Sequence, residues 1–445
     1  MSKYKQLMQQ MEIEFVDKEI TVWGGLSILE KMIDTTGFKK VLSSLPLPVQ
    51  RSNRGYPPGQ LFIQFMSSIW CGANRYAHLD VIRFDKSIQK LFGWSGMPEH
   101  KAFQRYFEKF NIPISYAVFG GLYRWFFDNL KFDNFTLDID SSVLTRFGEQ
   151  EGAKKGYNKH KPGRKSQHPI IAFVSDIEMV ANFWLRSGDA HTANNFQAFL
   201  EETLSFFGNK KIGLLRLDSG FYDQKIFNYL EKEDTCIDYI VAVPMFVTIQ
   251  RKIASQKTWL SLDEGIQISE FQYQAQDWSK PRRMIVVRQK VEQRPKAVGK
   301  QLTLFEDNFE INGFRYTCYI TTLKLSAADV WRLYRGRANC ENRIKELKYD
   351  YGLDKINQAG FNGTEAGLLL ITIAYNFMSL FKQVIINEKV RSRLSTLRFK
   401  LLAIPAYIEE CGDKLIMKMA LQMNRRIWIK KLWDKSNMFV FANSS

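Results

Sequence analysis

Apolar positions recur at helical spacing through the first third of the chain. Residues 26–33 and 38–45 set apolar side chains three and four apart, and Leu45-Pro-Leu-Pro48 ends that run. Residues 101–110 and 115–130 continue the helical pattern, the second rich in Tyr, Trp and Phe. Residues 1–131 are therefore expected to form a helical region. Near Phe132 the period changes. Residues 135–140, Phe-Thr-Leu-Asp-Ile-Asp, alternate as a half-buried strand does. Strand-like runs follow at 169–175 and 179–185, then a helical pattern at 194–207. A short apolar run at 212–218 reads as a buried strand, 223–231 as a helix and 237–243 as a strand.

The order of three strands, helix, strand, helix, strand across 132–244 is that of a ribonuclease-H-like α/β core, although many α/β folds share pieces of it. Residues 245–325 depart from it, with short β-like runs between polar and Pro-containing turns, and are expected to be a β-rich insertion. Helical signal returns at Ser326, a capping residue with Asp329 three positions on and Gly352 beyond the far end. This segment, 326–355, is expected to complete the core. A helical region, 356–445, follows. It begins with an apolar helix from Thr364 and ends in a tail of alternating basic and apolar residues.

Composition narrows the class. Hydrophobic residues at 45% and charged residues at 24% suit a soluble globular protein of several domains. Sixty-three Lys and Arg stand against 46 Asp and Glu, a net charge of +17 that suits a polyanionic partner. An acidic membrane surface is the weaker reading, because no basic amphipathic anchor stands out. Residues 1–16 lack the apolar core of a signal peptide. Residues 55–74 carry two prolines and two glutamines and make a poor membrane span, and 366–381 is short and contains Asn376, so it reads as a buried helix. Five scattered cysteines form no CxxC pair, and His160, His168 and His191 lack metal-ligand spacing; a reducing cytoplasm is expected.

A polyanionic partner raises the question of phosphodiester chemistry. Cleavage needs a nucleophile and a leaving oxygen in line, and divalent ions held by two or three carboxylates on a rigid core serve both. Asp140 closes the first strand and is followed by Ser141-Ser142, with Asp138 sharing its strand face. Asp218 closes the buried fourth strand in Asp218-Ser-Gly-Phe-Tyr222. Either alone is better explained by a turn or helix cap. The third element is a helix whose Tyr334, Arg337, Glu341 and Lys348 are separated by three, four and seven residues. At about 100° per residue these fall within roughly 60° of one another. A surface helix laced with salt bridges such as Glu341 to Lys345 is the alternative.

Tyr-x2-Arg-x3-Glu-x6-Lys resembles the signature of a large group of bacterial insertion-sequence transposases of the DDE class, matched here at every spacing. The segments around Asp140-Ser-Ser and Asp218-Ser-Gly-Phe resemble that group's first and second catalytic motifs, so the likeness covers roughly 130–355. The resemblance implies a ribonuclease-H-like core with a β insertion, and Asp140, Asp218 and Glu341 as ligands of two Mg²⁺ ions, with Mn²⁺ as a substitute. Asp140 is preferred to Asp138 because the family pattern sets a small or hydroxyl residue after it. Arg337 and Lys348 would hold backbone phosphates, and Tyr334 would contact the same strand. The resemblance further implies cut-and-paste transposition on terminal inverted repeats of double-stranded DNA, joined to target DNA through a homodimeric synapse.

Two features lie outside the signature. The loop 154–168 carries Lys154, Lys155, Lys159, Lys161, Arg164 and Lys165 beside the first strand and suits a DNA-tracking loop, with a solvated loop as the alternative. Trp278, near Lys280, Arg282 and Arg283, is a candidate for stacking on a flipped base, as an insertion Trp does in some relatives; core packing is the alternative. Three other functions remain open: a DNA-binding protein derived from a transposase that no longer cuts, another ribonuclease-H-like nuclease, and a basic RNA-binding protein.

Overall fold

The computed structural model describes residues 11–50, 55–158, 161–291 and 309–441. A two-residue strand, β1 (Ile20–Thr21), precedes helices α1 (Leu26–Thr35), α2 (Phe38–Ser44), α3 (Pro58–Trp70), α4 (Lys86–Phe92), α5 (His100–Phe107) and α6 (Ile112–Asp128). Local chemistry sets their starts. Pro58 opens α3, where a missing N–H removes no helical bond. The side chains of Asp85 and Asn111 accept from the N–H groups of Ile88 and Ile114 and cap α4 and α6.

The next segment builds the sheet that carries the site. Its strands are β2 (Phe135–Ser141), β3 (Leu144–Thr145), β4 (Lys154–Lys155), β5 (Lys165–Gln167), β6 (Ile170–Val174) and β7 (Met179–Trp184). Helix α7 (Phe196–Ser205), β8 (Ile212–Leu217), α8 (Gln224–Leu230) and β9 (Tyr239–Ala242) follow. The short β3, β4 and β5 make a small separate sheet holding the basic loop. The others lie in the order β9-β8-β2-β6-β7. β2 runs parallel to β8, and β8 to β9, while β2–β6 and β6–β7 are antiparallel. The three strands, helix, strand, helix, strand read from the pattern are all present.

Residues 245–325, expected to be β-rich, carry five strands and one helix among the described residues. They contain α9 (Val247–Ala254) and strands β10 (Leu260–Asp263), β11 (Ile266–Tyr273), β12 (Arg282–Lys290), β13 (Phe309–Ile311) and β14 (Phe314–Thr321). β14 pairs with β9, Ile320 opposite Val241, so these strands continue the central sheet to ten. The physical reason is the edge: β9 would otherwise present unpaired main-chain groups, and β14 satisfies them.

The signature segment is two helices, α10 (Ala327–Arg335) and α11 (Ala338–Tyr349), rather than one. It leads into α12 (Phe361–Phe381), α13 (Leu394–Leu397), the hairpin β15 (Ala406–Cys411) and β16 (Lys414–Met419), and α14 (Met423–Met438). The hairpin corrects the expectation of a wholly helical C-terminal region. Gly412, at φ +59°, supplies the turn, and β1 pairs with β15. Among the described residues, the helical stretch from Phe361 to Ile386 is the one long and apolar enough to cross a membrane, and 89% of its most apolar window is buried. Asn376 explains the burial. β6 and β7 slip register beside Val180, and the Asn376 amide donates to Val180 O at 2.8 Å and accepts from its N–H at 2.7 Å.

Candidate active site at the ends of β2 and β8

Ile139 of β2 lies opposite Leu217 of β8 in the parallel ladder. Asp140 and Asp218 follow these two residues directly, so they leave adjacent strand ends, whose spacing is about 5 Å. Asp140 is buried, and its Oδ1 accepts from the N–H of Ser141 at 2.8 Å. Asp218 is half-buried and caps the short turn Ser219–Phe221, accepting from the N–H of Gly220 at 3.0 Å.

The helix pair is fastened to the same two strand ends. Tyr334 donates to Leu217 O at 3.2 Å, and Arg337 Nη2 lies 3.4 Å from Ile139 O. Farther along, Lys348 donates to Val143 O at 3.1 Å. Two of the four signature side chains thus bind the main chain next to the aspartates, and a third binds it just beyond β2. Arg337 also pairs with Asp140 at 3.1 Å. Burial opposes its charge, but Asp140 first, then Tyr334 and Asp218, outweigh burial and hold its pKa above the ordinary value. Burial pushes the Tyr334 hydroxyl up and draws the Lys348 ammonium down. Arg337, expected on backbone phosphates, is therefore turned inward, because a buried Asp140 carboxylate demands a counter-charge.

Glu341 stands exposed in the first turn of α11, beyond Arg337. Carboxylate oxygens are the donors a hard divalent ion prefers, so the donor set fits Mg²⁺. Among the described residues, however, no three Asp, Glu, His or Cys side chains are gathered into a ready metal cluster. The cation paired with Asp140 in this structure is the Arg337 guanidinium.

Asp138 and Arg216 are functional anchors that the strand pattern leaves unassigned. They face each other in register on β2 and β8, and the guanidinium meets the carboxylate at 2.6 and 2.8 Å. Asp138 is fully buried and commits both oxygens to Arg216, which leaves Asp140 as the carboxylate at the strand end. Arg216 also donates to Leu333 O at 2.6 Å, capping α10. A methyl group on Gly336 would sit 2.5 Å from the same guanidinium nitrogen, so the glycine leaves room for Arg216 at the end of α10. The signal was a charge inside each of two apolar strands, which requires a partner.

The remaining candidates separate. Lys155, Lys161 and Arg164 are exposed on the small sheet and its loop, with Lys161 4.7 Å from the Phe147 ring. Lys154 pairs with Asp189 at 3.0 Å and Lys165 with Glu149 at 2.6 Å. Lys159 lies outside the described residues. Trp278 is only 7% exposed, packed on Tyr222, Phe227 and Tyr273 with Arg282 4.8 Å from its ring. In this structure the ring is a packed one, as the alternative reading has it.

A large mixed α/β sheet with carboxylates at adjacent parallel strand ends defines the class of the site. The family model described as transposase DDE domain, group 1, matches residues 4–435, nearly the whole chain, and the chain belongs to that family. Comparison with curated proteins gives no match. Among solved structures, the chain is similar to the piggyBac transposase in a cryo-EM structure of its synaptic complex with hairpin DNA. The TM-score is 0.48 at 10% identity, over 86% of this chain and 80% of that one.

Proposed function

We propose that the chain is an active transposase of bacterial insertion-sequence type. In this reading it cuts double-stranded DNA at the element's terminal inverted repeats and joins the ends to target DNA, working as a homodimer in the cytoplasm. The strands β2, β6, β7, β8 and β9 are its ribonuclease-H-like core, β10 to β14 its insertion, and the mainly helical ends, joined by the small sheet of β1, β15 and β16, its flanking regions. The observation that carries the reading is the double fastening of the signature helices: Tyr334 on Leu217 and Arg337 on Ile139, the residues just before the two aspartates.

Asp140, Asp218 and Glu341 are the residues that would hold Mg²⁺ or Mn²⁺. When bound, such ions supply charge stabilisation at the attacking and leaving oxygens. The chain's own groups do the rest. Arg337 pairs with Asp140 and orients it, Tyr334 and Arg216 fix the helix against the strands, and Lys348 holds the chain after β2. Lys155, Lys161 and Arg164 present cations to backbone phosphates.

The test is cutting of DNA bearing the element's own ends with Mg²⁺ or Mn²⁺, with Glu341→Gln alongside. Cutting at the repeat boundary that disappears in the variant supports the reading. Binding by both without cutting by either points to a silent DNA-binding descendant, and equal cutting by both removes Glu341 from the site.

A further inference from the structure

One buried guanidinium organises the loop between β7 and α7. Arg186 is 6% exposed, and its Nε donates to His168 O at 2.9 Å. Its Nη1 lies within hydrogen-bond distance of three carbonyls of the loop: His191 at 3.2 Å, Thr192 at 3.0 Å and Asn194 at 3.0 Å. Four main-chain acceptors converge on one cation. A charge buried this way is costly unless it is hydrogen-bonded; Nε and Nη1 make these bonds, which fix residues 191–194 in a single arc, while Nη2 is buried without a hydrogen-bond partner among the described residues.

The arc places Thr192 against both aspartate turns. Its Oγ1 lies 3.2 Å from Ser141 Oγ, on the residue after Asp140. On the other side it packs on the Asp218 turn: a methyl group on Gly220 would sit 2.9 Å from Thr192 Cγ2 and 3.1 Å from Oγ1. Gly220 is the residue whose N–H Asp218 binds. One threonine thus bridges turns that leave different strands.

We propose that Arg186 and Thr192 are positioning residues for the metal-holding aspartates: Arg186 shapes the arc, and Thr192 sets the separation of the Asp140 and Asp218 turns. The proposal rests on the metal-site reading above. Lysine cannot replace Arg186, because a single ammonium lacks the planar fork that reaches carbonyls on two sides. Groups that orient metal ligands typically change metal affinity 10–100-fold when removed.

The experiment titrates Mn²⁺ into the full-length protein without DNA and follows the free-ion signal by electron paramagnetic resonance. Far-UV circular dichroism and thermal melting report on folding. Thr192→Val and Arg186→Lys are expected to weaken Mn²⁺ binding about tenfold or more, and Thr192→Ser, which keeps the hydroxyl, to restore it. Wild-type affinity in a folded Thr192→Val overturns the proposal, even where Arg186→Lys fails to fold. Asp218→Asn separates the layers: binding equal to wild type in that variant overturns the metal-site reading itself.

Discussion

Arg216 and Asp138 sit opposite each other on β8 and β2 and close a buried two-point ion pair at the floor of the candidate site. The pair does two things at once. It neutralises a carboxylate two residues before Asp140, and through the bond to Leu333 it ends α10 where the signature helix must turn. Asp138 is thus an anchor, and Asp140 a candidate ligand.

Breaking this pair should unfold the protein readily. Asp138→Ala leaves an uncompensated guanidinium in the core, a loss of about 3–5 kcal/mol in urea unfolding. Replacing both partners, as in Asp138→Leu with Arg216→Met, should recover much of that loss, since desolvation of the ions vanishes with them. A folded Asp138→Asn with wild-type stability but no DNA cutting would assign Asp138 to the metal instead.

Arg337 should behave as a counter-charge that a cation can replace. Arg337→Ala leaves Asp140 buried without its partner and should lose about 3–5 kcal/mol in metal-free buffer. Millimolar Mg²⁺ should then stabilise the variant more than the wild type, in which Arg337 already balances Asp140. Equal melting shifts with Mg²⁺ in the two proteins would show that Asp140 does not meet the ion.

How much of this is legible in the sequence depends on how local the cause is. The alternation at 135–140 and the apolar run at 212–218 identify β2 and β8, because strand burial writes itself into neighbouring positions. The join at Gly336 is not legible, since the side chain packed on it and bound to Leu333 is Arg216, 120 positions earlier on another strand. Arg186 escapes for a similar reason: its partners are carbonyls, which leave no mark on side-chain pattern. The hairpin at 406–419 was within reach. Leu415-Ile-Met-Lys418 lies just past Gly412-Asp413, a turn signal between two short apolar runs, yet mixed basic and apolar positions also suit an amphipathic helix.

Stability should fall with rising pH through Glu365. Burial, opposed by the Leu185 N–H and reinforced by Glu202, raises its pKa from 4.5 to about 7. Its Oε1 accepts from Leu185 N–H at 2.9 Å. A raised acid binds its proton in the folded state over a window where the unfolded chain has lost it. Between pH 4.5 and about 7 the folded state therefore holds more protons, and stability declines as pH rises. Above that window the penalty is complete, at most ~3 kcal/mol, because the side chain is not wholly buried. Glu365→Gln keeps an acceptor for Leu185 and should raise the melting temperature at pH 8 but not at pH 4. Equal stabilisation at both values would trace the effect to packing.

The basic loop and Trp278 should part company in salt. Lys155, Lys161 and Arg164 are exposed, whereas Lys154 and Lys165 are held by Asp189 and Glu149. Each phosphate contact contributes about 0.9 to the slope of log K against log salt. Replacing the three exposed cations by Ala should flatten the slope by up to about 2.7, measured on DNA ends between roughly 50 and 200 mM salt. The paired lysines should matter less, since their charges already have partners. Trp278→Ala should instead lower stability by about 3–5 kcal/mol through loss of a buried ring, with the slope unchanged. An unaltered slope in the triple variant would make the loop a solvated one. A flatter slope in a stable Trp278→Ala would return that ring to the DNA.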